Sequence, residues 1–273
     1  MIKYNMSMFT QEEKKQVISL YNRLKDLREV IKETSYTKEE LLSILLVGGI
    51  SNQELIKYID IPFINEEQII LISDTHLGSK YSNLEYLHQV YEYAVSHNIK
   101  TIIHLGDLFQ STIKNVEPQF IEPDKQLSIA LSFFNMYPDI TTYLLFGNHD
   151  LHLLKKDEAF NQELLKLSNI KILGFKKSYI TWKNTIISLH HPISKYNLSI
   201  PYLKEKILLF GHRHQLYIKD NKIFLPTLSD DLKTYNGDKG KPGFLIFSFT
   251  SKEIKIENFE LFTKQKKLIY LNN

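Results

Sequence analysis

Short clusters of aspartate, histidine and asparagine punctuate the middle of this chain: Asp74-Thr75-His76, Gly106-Asp107, Gly147-Asn148-His149-Asp150, His190-His191-Pro192 and Gly211-His212-Arg213-His214. Carboxylate oxygens mixed with imidazoles suit Mn, Fe, Zn or similar divalent ions, whereas an all-oxygen set would suit Mg or Ca. The donors are too many for one four-coordinate ion, and a two-metal centre sharing one carboxylate accounts for their number. In Asp74-x-His76 and His212-x-His214 an extended backbone sends residues i and i+2 to the same side. Thr75 and Arg213 then point away from a common site. Glycines at 78, 106, 147 and 211 let the following turns tighten and let the backbone approach a bound anion.

Each cluster follows a run rich in Ile, Leu and Val that reads as a buried strand, over residues 69–73, 101–105, 141–146, 185–189 and 206–210. Helical patterns over 84–96, 126–137 and 158–167 intervene, and the alternation predicts an α/β domain with a largely central sheet. Ligands of open α/β sheets bind at the carboxyl ends of strands, so consecutive strands would carry the donors to one edge. After Gly211 the helical pattern stops. Residues 216–219 and 223–225 flank Asp220-Asn221 as a hairpin, and 244–249 with 254–262 add strands. A second, mostly antiparallel sheet at the C-terminal end is the economical reading.

Residues 10–58 read as helical. Val17, Leu20, Tyr21, Leu24, Leu27, Val30 and Ile31 form one amphipathic stripe. A second helix over 37–47 opens with a capping-box pattern, Thr37 and Glu40, and ends at Gly48-Gly49. A short helix over 51–59 stops before Pro62. The expected organisation is a helical extension over 1–65 and a catalytic domain over 66–273. The extension could pass for a helix-turn-helix, but its acids and bases are about balanced, whereas a DNA-binding face needs an excess of Lys and Arg. A cap or a homodimerisation element is the preferred reading.

Composition removes other classes. The 273 residues are 43% hydrophobic with a formal net charge of +3, as expected of a globular protein able to take an anionic substrate without a dense basic block. Cysteine is absent, which excludes disulfides and thiolate ligands. No secretory or membrane-spanning segment stands out, and a cytoplasmic protein with no membrane partner is expected. The remaining histidines take ordinary readings: His88 and His97 on a helix surface, His104 as a hydrogen-bonded core residue, and His152 as a candidate substrate contact.

Taken in order and type, the clusters from Asp74 to His214 resemble the motif set of the calcineurin-like metallophosphoesterase superfamily. Any one of them alone would be weak; together, each after a predicted strand, they are specific. The resemblance implies a two-sheet α/β sandwich flanked by helices, the four-layer metallophosphoesterase fold, here with an N-terminal helical extension. It also implies that Asp74, His76 and His214 hold one metal, that Asn148, His190 and His212 hold the other, and that Asp107 bridges them. His190 is preferred to His191 because the family's ligand stands two residues before a proline, here Pro192. His149 would donate a proton to the leaving oxygen, with Asp150 orienting it. A water or hydroxide bridging two divalent ions, with Mn favoured, would attack phosphorus in line.

The resemblance divides over the substrate. Ser/Thr protein phosphatases of the superfamily carry Asp-Arg-Gly after the second motif and Glu after Asn-His. This chain has Phe109-Gln110-Ser111 and Asp150 there. Its arginines are Arg23, Arg28 and Arg213 only, which is poor provision for a bidentate clamp on a dianionic monoester. The motifs look more like the phosphodiesterase branches, including nuclease subunits of double-strand-break repair complexes. A nucleotide or nucleic-acid phosphodiester is the expected substrate, and a phosphomonoesterase on a small substrate is the alternative. Those nucleases usually carry capping domains after the core, and a chain ending at Asn273 leaves no length for a large one. Specificity would then rest on residues 110–124 and 226–243, the latter a candidate lid. A non-catalytic module of the same fold would show decay of the ligand positions, which here are filled.

Overall fold

The computed structural model of the chain describes residues 10–36, 41, 44, 45, 50, 61–111, 121–154, 163, 164, 166–183, 185–192, 207–230, 239–250 and 253–269. It divides into two compact units, Met1–Ile61 and Pro62–Asn273. Among the described residues no helix is long and apolar enough to cross a membrane.

In the first unit the expected single stripe is carried by two helices, α1 (Gln11–Leu24) and α2 (Leu27–Glu33). Thr10 caps α1: its hydroxyl accepts from Glu13 N–H, and the Glu13 carboxylate accepts from Thr10 N–H. Lys25 ends α1 in a left-handed turn at φ 55°, and Asp26 restarts the helix by accepting from Arg28 N–H. The break does not divide the core, because Val17 and Tyr21 of α1 are buried with Leu27 and Val30 of α2. The helices expected over 37–47 and 51–59 lie almost wholly outside the described residues.

The second unit is a mixed α/β sandwich of two sheets. Parallel strands β2 (Gln68–Ile72), β3 (Thr101–His104), β4 (Thr141–Phe146) and β5 (Ile170–Phe175) form one side of a seven-stranded sheet. Antiparallel strands β11 (Gly243–Phe249), β12 (Ile254–Glu260) and β13 (Gln265–Ile269) complete it in the order β13-β12-β11-β2-β3-β4-β5. The C-terminal strands therefore extend the first sheet and do not build the second one. The reason is the pairing of β11 with β2, in which Ile246 lies opposite Ile70 and Phe247 opposite Ile69.

The six-stranded sheet takes the order β1-β6-β7-β8-β10-β9, from β1 (Phe63–Ile64), β6 (Lys177–Trp182), β7 (Thr185–His190), β8 (Ile207–Phe210), β9 (Tyr217–Lys219) and β10 (Lys222–Phe224). The hairpin expected at Asp220-Asn221 is formed by β9 and β10. Strands β5 and β6, adjoining in sequence at Lys176, lie one in each sheet.

Period-two alternation decides what lies between the sheets. Ile69 and Leu71 of β2, Ile103 of β3, Ile187 and Leu189 of β7, and Ile207 and Leu209 of β8 share one buried cluster. The opposite face of the seven-stranded sheet, with Ile70, Ile72, Ile102 and Leu144, packs on α3 (Leu84–Ser96) and α4 (Pro123–Asn135). Both faces of β2 and β3 are thus dry, as parallel strands under helices require. Asn83 caps α3 by accepting from Glu85 N–H, and Pro123 opens α4, where its missing N–H costs nothing. The Tyr91 hydroxyl of α3 meets Thr142 Oγ1 of β4 at 2.6 Å. The helix expected over 158–167 lies mostly outside the described residues.

Candidate metal centre

The donor clusters stand where β2, β3, β4, β7 and β8 end, so both sheets supply them. Beyond Ile72 and His104 the chains of β2 and β3 stay bonded side by side: Asp74 N–H donates to Gly106 O at 3.0 Å and His76 N–H to Asp107 O at 2.9 Å. The backbone there is not extended. Asp74, His76, Asp107, His212 and His214 all take left-handed φ angles, of 56°, 48°, 55°, 74° and 57°. Each member of the Asp74-x-His76 and His212-x-His214 pairs is therefore aimed by a turn and not by a pleat. A left-handed residue with a Cβ costs on the order of 1 kcal/mol, and such concentrations of strain mark sites whose surroundings over-determine them.

Side chains converge in overlapping groups. Donor atoms of Asp74, His76 and His214 all lie within 4.8 Å of one another, as do those of Asp107, His191 and His212, and those of His76, Asp107 and His149. Asp74 Oδ1 is 3.4 Å from His214 Nε2 and 3.9 Å from His76 Nε2, and Asp107 Oδ2 is 3.9 Å from His76 Nε2. Asp74 also accepts from His212 N–H, which ties the β2 end to the β8 end. Asp107 Oδ2 and His191 Nε2 approach to 3.0 Å. His76 Nε2, Asp107 Oδ2, Asn148 Oδ1 and His191 Nε2 are buried with no hydrogen-bond partner. Buried polar atoms are nearly always satisfied, and a His76 Nε2 left over between the Asp74 and Asp107 carboxylates fits a divalent cation.

His190 is not in this cluster. It is the last residue of β7, on the strand face away from Ile187 and Leu189; its ring stacks on Phe210 at 4.9 Å and meets Ser188 Oγ at 2.7 Å. The next residue, His191, takes the inward face and the place expected for His190. Its Nδ1–H donates to Leu105 O, which turns Nε2 toward Asp107. Three glycines make room for this ring, and a Cβ on Gly106 would stand 2.5 Å from His191 Nδ1. A Cβ on Gly147 would stand 2.3 Å from Asp107 Oδ1 and 2.8 Å from His191 Cδ2, and one on Gly211 would stand 2.3 Å from Ser73 Oγ and 2.8 Å from His191 Nδ1. Their close approach is to side chains of the candidate centre.

Asp150 does not orient the His149 ring. Its buried carboxylate accepts from Asp107, Phe109 and Gly147 N–H at 2.8–2.9 Å, clamping the β3 loop to the β4 loop. The His149 ring donates from Nδ1 to Gln110 O at 2.8 Å, and its own N–H donates to Asp107 Oδ1. Gln110 serves a second ring too, because its Oε1 lies 3.0 Å from His76 Nδ1. Other supporting residues were missed in the sequence. Thr227 and Ser229 hydroxyls donate to Asp74 O, and Ser229 also to Thr75 O. Lys176 joins the sheets, donating to Phe146 O and accepting from His191 N–H. Main-chain partners of this kind leave no residue signature, although a hydroxyl pair two residues apart was visible at 227 and 229.

Thr75 and Arg213 do turn away: Thr75 Oγ1 meets His104 Nε2 at 2.7 Å, and the Arg213 guanidinium lies 4.3 Å over the Phe224 ring. The His152 side chain lies outside the described residues, as do 112–120 and 231–238 of the two loops expected to set specificity. Of the candidate lid, Thr227 to Ser229 are buried and Asp230 is bonded to Asn83 and to Tyr81 O, so this part is anchored.

Electrostatics follow from burial. Desolvation alone would raise Asp74 and Asp107, but His214 beside the former and His191 beside the latter hold both carboxyls well below the usual range. Burial, with His149 nearby, takes His76 down to about 3, and burial, with His191 nearby, takes His212 down to about 4. Burial would lower His191, yet the Asp107 carboxylate raises it to about 9. Asp150 is pushed up to about 6 by burial and by Asp107, against the pull of its N–H donors.

The Metallophos profile, described as calcineurin-like phosphoesterase, matches residues 68–218. The DNA double-strand break repair protein Mre11 of Sulfolobus acidocaldarius is 30% identical over 151 residues, 51% of this chain and 37% of that protein. Mre11 of Saccharolobus solfataricus is 28% identical over 152 residues, 52% of this chain and 36% of that protein. The matched region thus spans little more than a third of these relatives. Yfce, a phosphoesterase from E. coli, shares the fold at a TM-score of 0.50 and 15% identity, covering 75% of this chain and 100% of that one.

Proposed function

Since the chain belongs to the calcineurin-like phosphoesterase family by its match over residues 68–218, we propose that it is a divalent-metal phosphodiesterase acting on a nucleotide or nucleic-acid phosphodiester. Asp74, His76 and His214 would hold one ion, Asn148, His191 and His212 the other, with Asp107 shared between them. The observation that carries this reading is that donor atoms of Asp74, His76, Asp107, His191, His212 and His214 converge in overlapping groups, with His76 Nε2 buried and without a hydrogen-bond partner among them. When bound, the ions would supply an activated water near neutral pH and positive charge against the phosphoryl oxygens.

The chain's own residues do the rest. His149 is only partly buried, so a substrate oxygen can reach its ring. Its Nδ1–H is committed to Gln110 O, which leaves Nε2 to carry the proton to the leaving oxygen. Asp150 holds the loops bearing Asp107 and Asn148 at a fixed separation. A diester is favoured over a monoester because Arg213 is stacked on Phe224 and provides no guanidinium fork for a dianion. Similarity to Mre11 proteins supports a nucleic-acid substrate. We assign Mn as the working ion, a cytoplasmic location, and a capping or dimerising role for the helices of residues 1–65 as parts of the same proposal.

The test is a substrate panel. Protein purified with Mn²⁺ is expected to hydrolyse bis-(p-nitrophenyl) phosphate faster than the monoester. The opposite preference would move the assignment to a phosphomonoesterase, and inertness toward both with every divalent ion would end the enzymatic reading. His149→Ala is expected to lose activity while keeping its metal, and Asn148→Ala to lose both.

A further inference from the structure

We propose that Gln110 sets the tautomers of two site histidines at once, holding His76 with its side-chain carbonyl and His149 with its main-chain carbonyl, each as the Nδ1–H ring. Its value for metal binding rests on the ligand role proposed above for His76; the tautomer assignment itself does not.

A carbonyl oxygen can only accept, so a ring nitrogen at hydrogen-bond distance from one must carry the proton. Gln110 Oε1 lies 3.0 Å from His76 Nδ1, and Gln110 O lies 2.8 Å from His149 Nδ1. The bond made by one ring nitrogen fixes what the other can do. For His76 it leaves an Nε2 lone pair facing Asp74 and Asp107, each 3.9 Å away. For His149 it leaves Nε2 as the position where a proton is gained or lost. The two rings stand edge to face with centroids 4.7 Å apart, so one residue can serve both.

Gln110 is itself firmly placed. It is buried, its N–H donates to Leu77 O, and the flanking N–H groups of Phe109 and Ser111 are taken by the Asp150 carboxylate and by Gln126 Oε1. The main-chain carbonyl is therefore locked before any substrate arrives, whereas the amide acts alone on His76. These two functions are separable by mutation. Gln110→Leu removes the acceptor from His76 and leaves the one for His149. Gln110→Glu keeps an acceptor at the same place.

Long-range proton–nitrogen NMR correlation on the metal-free protein reads each tautomer directly, and calorimetric titration with Mn²⁺ reads its consequence. Both rings are expected as Nδ1–H in the parent chain. In Gln110→Leu, His76 is expected to populate the Nε2–H form while His149 is unchanged, and affinity for one ion is expected to fall roughly 10–100-fold. Gln110→Glu is expected to restore the tautomer and the affinity. An Nε2–H signal for His76 in the parent chain would mean that the amide is turned about, and would overturn the inference. An unchanged His76 in Gln110→Leu would overturn it equally. If Gln110→Leu fails to fold, the parent spectrum and Gln110→Glu still decide. A parent chain with both expected tautomers but no Mn²⁺ binding would support the role of Gln110 and refute the proposed function instead.

Discussion

Adjacent histidines at the end of β7 divide two jobs between the faces of one strand. His191 shares its face with Ile187 and Leu189 and ends beside Asp107 and His212 in the candidate centre, whereas His190 shares its face with Ser188 and packs on Phe210. His191→Ala is therefore expected to lose bound metal and activity together. His190→Ala should retain its metal and lose only about 2 kcal/mol of stability from the lost stack and hydrogen bond. Elemental analysis beside urea unfolding checks both, and metal loss from His190→Ala would return the ligand role to that residue. The inward place of His191 is legible in the alternation, since Ile187 and Leu189 set the inward parity and Ser188 marks the other face.

His104 carries the pH prediction. It is buried, its Nδ1 accepts from Gly106 N–H and its Nε2–H donates to Thr75 Oγ1, and burial lowers it to about 4. An unfolded ring titrates near 6.5, so the unfolded chain takes up the proton first. The stability owed to a neutral His104 is full above pH 6.5 and is lost as pH falls toward 4, at up to about 1.4 kcal/mol per pH unit. Urea midpoints at pH 7, 6 and 5 should fall less steeply in His104→Asn than in the parent chain. Equal slopes would show that this ring takes no part.

At the scale of elements, strained turns are held by strands that are distant in sequence. Asp74 stands at φ 56° with its carbonyl oxygen accepting from Thr227 Oγ1 and Ser229 Oγ. Ser229→Ala removes this bond and the one to Thr75 O. It is expected to cost about 1–3 kcal/mol and to weaken metal binding without touching a donor. A Ser229→Ala protein with unchanged stability and metal affinity would show that the turn needs no such support. Local pattern revealed β2, β3, β4, β7 and β8, because short apolar runs bounded by Gly, Asp and His are local signals. It did not reveal that β11 pairs with β2, since that pairing joins residues such as Leu245 and Leu71 far apart in sequence. The Lys25–Asp26 break between α1 and α2 was hidden by an apolar stripe that continues across it, although Asp26 is an ordinary helix cap.

Across the whole of the Pro62–Asn273 unit, the centre is built from both sheets. The ends of β2, β3 and β4 bring Asp74, His76, Asp107 and His149 from the seven-stranded sheet to the candidate centre, and the ends of β7 and β8 bring His191, His212 and His214 from the six-stranded one. Ions held by both sets would cross-link the sandwich, and ligands that bind only the folded state stabilise it by mass action. At free Mn²⁺ 100 times its dissociation constant the gain is about 2.7 kcal/mol, or about 5–10 °C in melting temperature for a unit of this size. Removing metal with a chelator should lower the melting temperature by that amount, and returning Mn²⁺ should restore it. Asp107→Asn should abolish the response, because the carboxylate proposed to serve both ions is the one that His76, His149 and His191 all surround. A response that survives Asp107→Asn would mean that the ions bind elsewhere. A melting temperature indifferent to metal in the parent chain would mean that the two sheets are not joined through this centre at all.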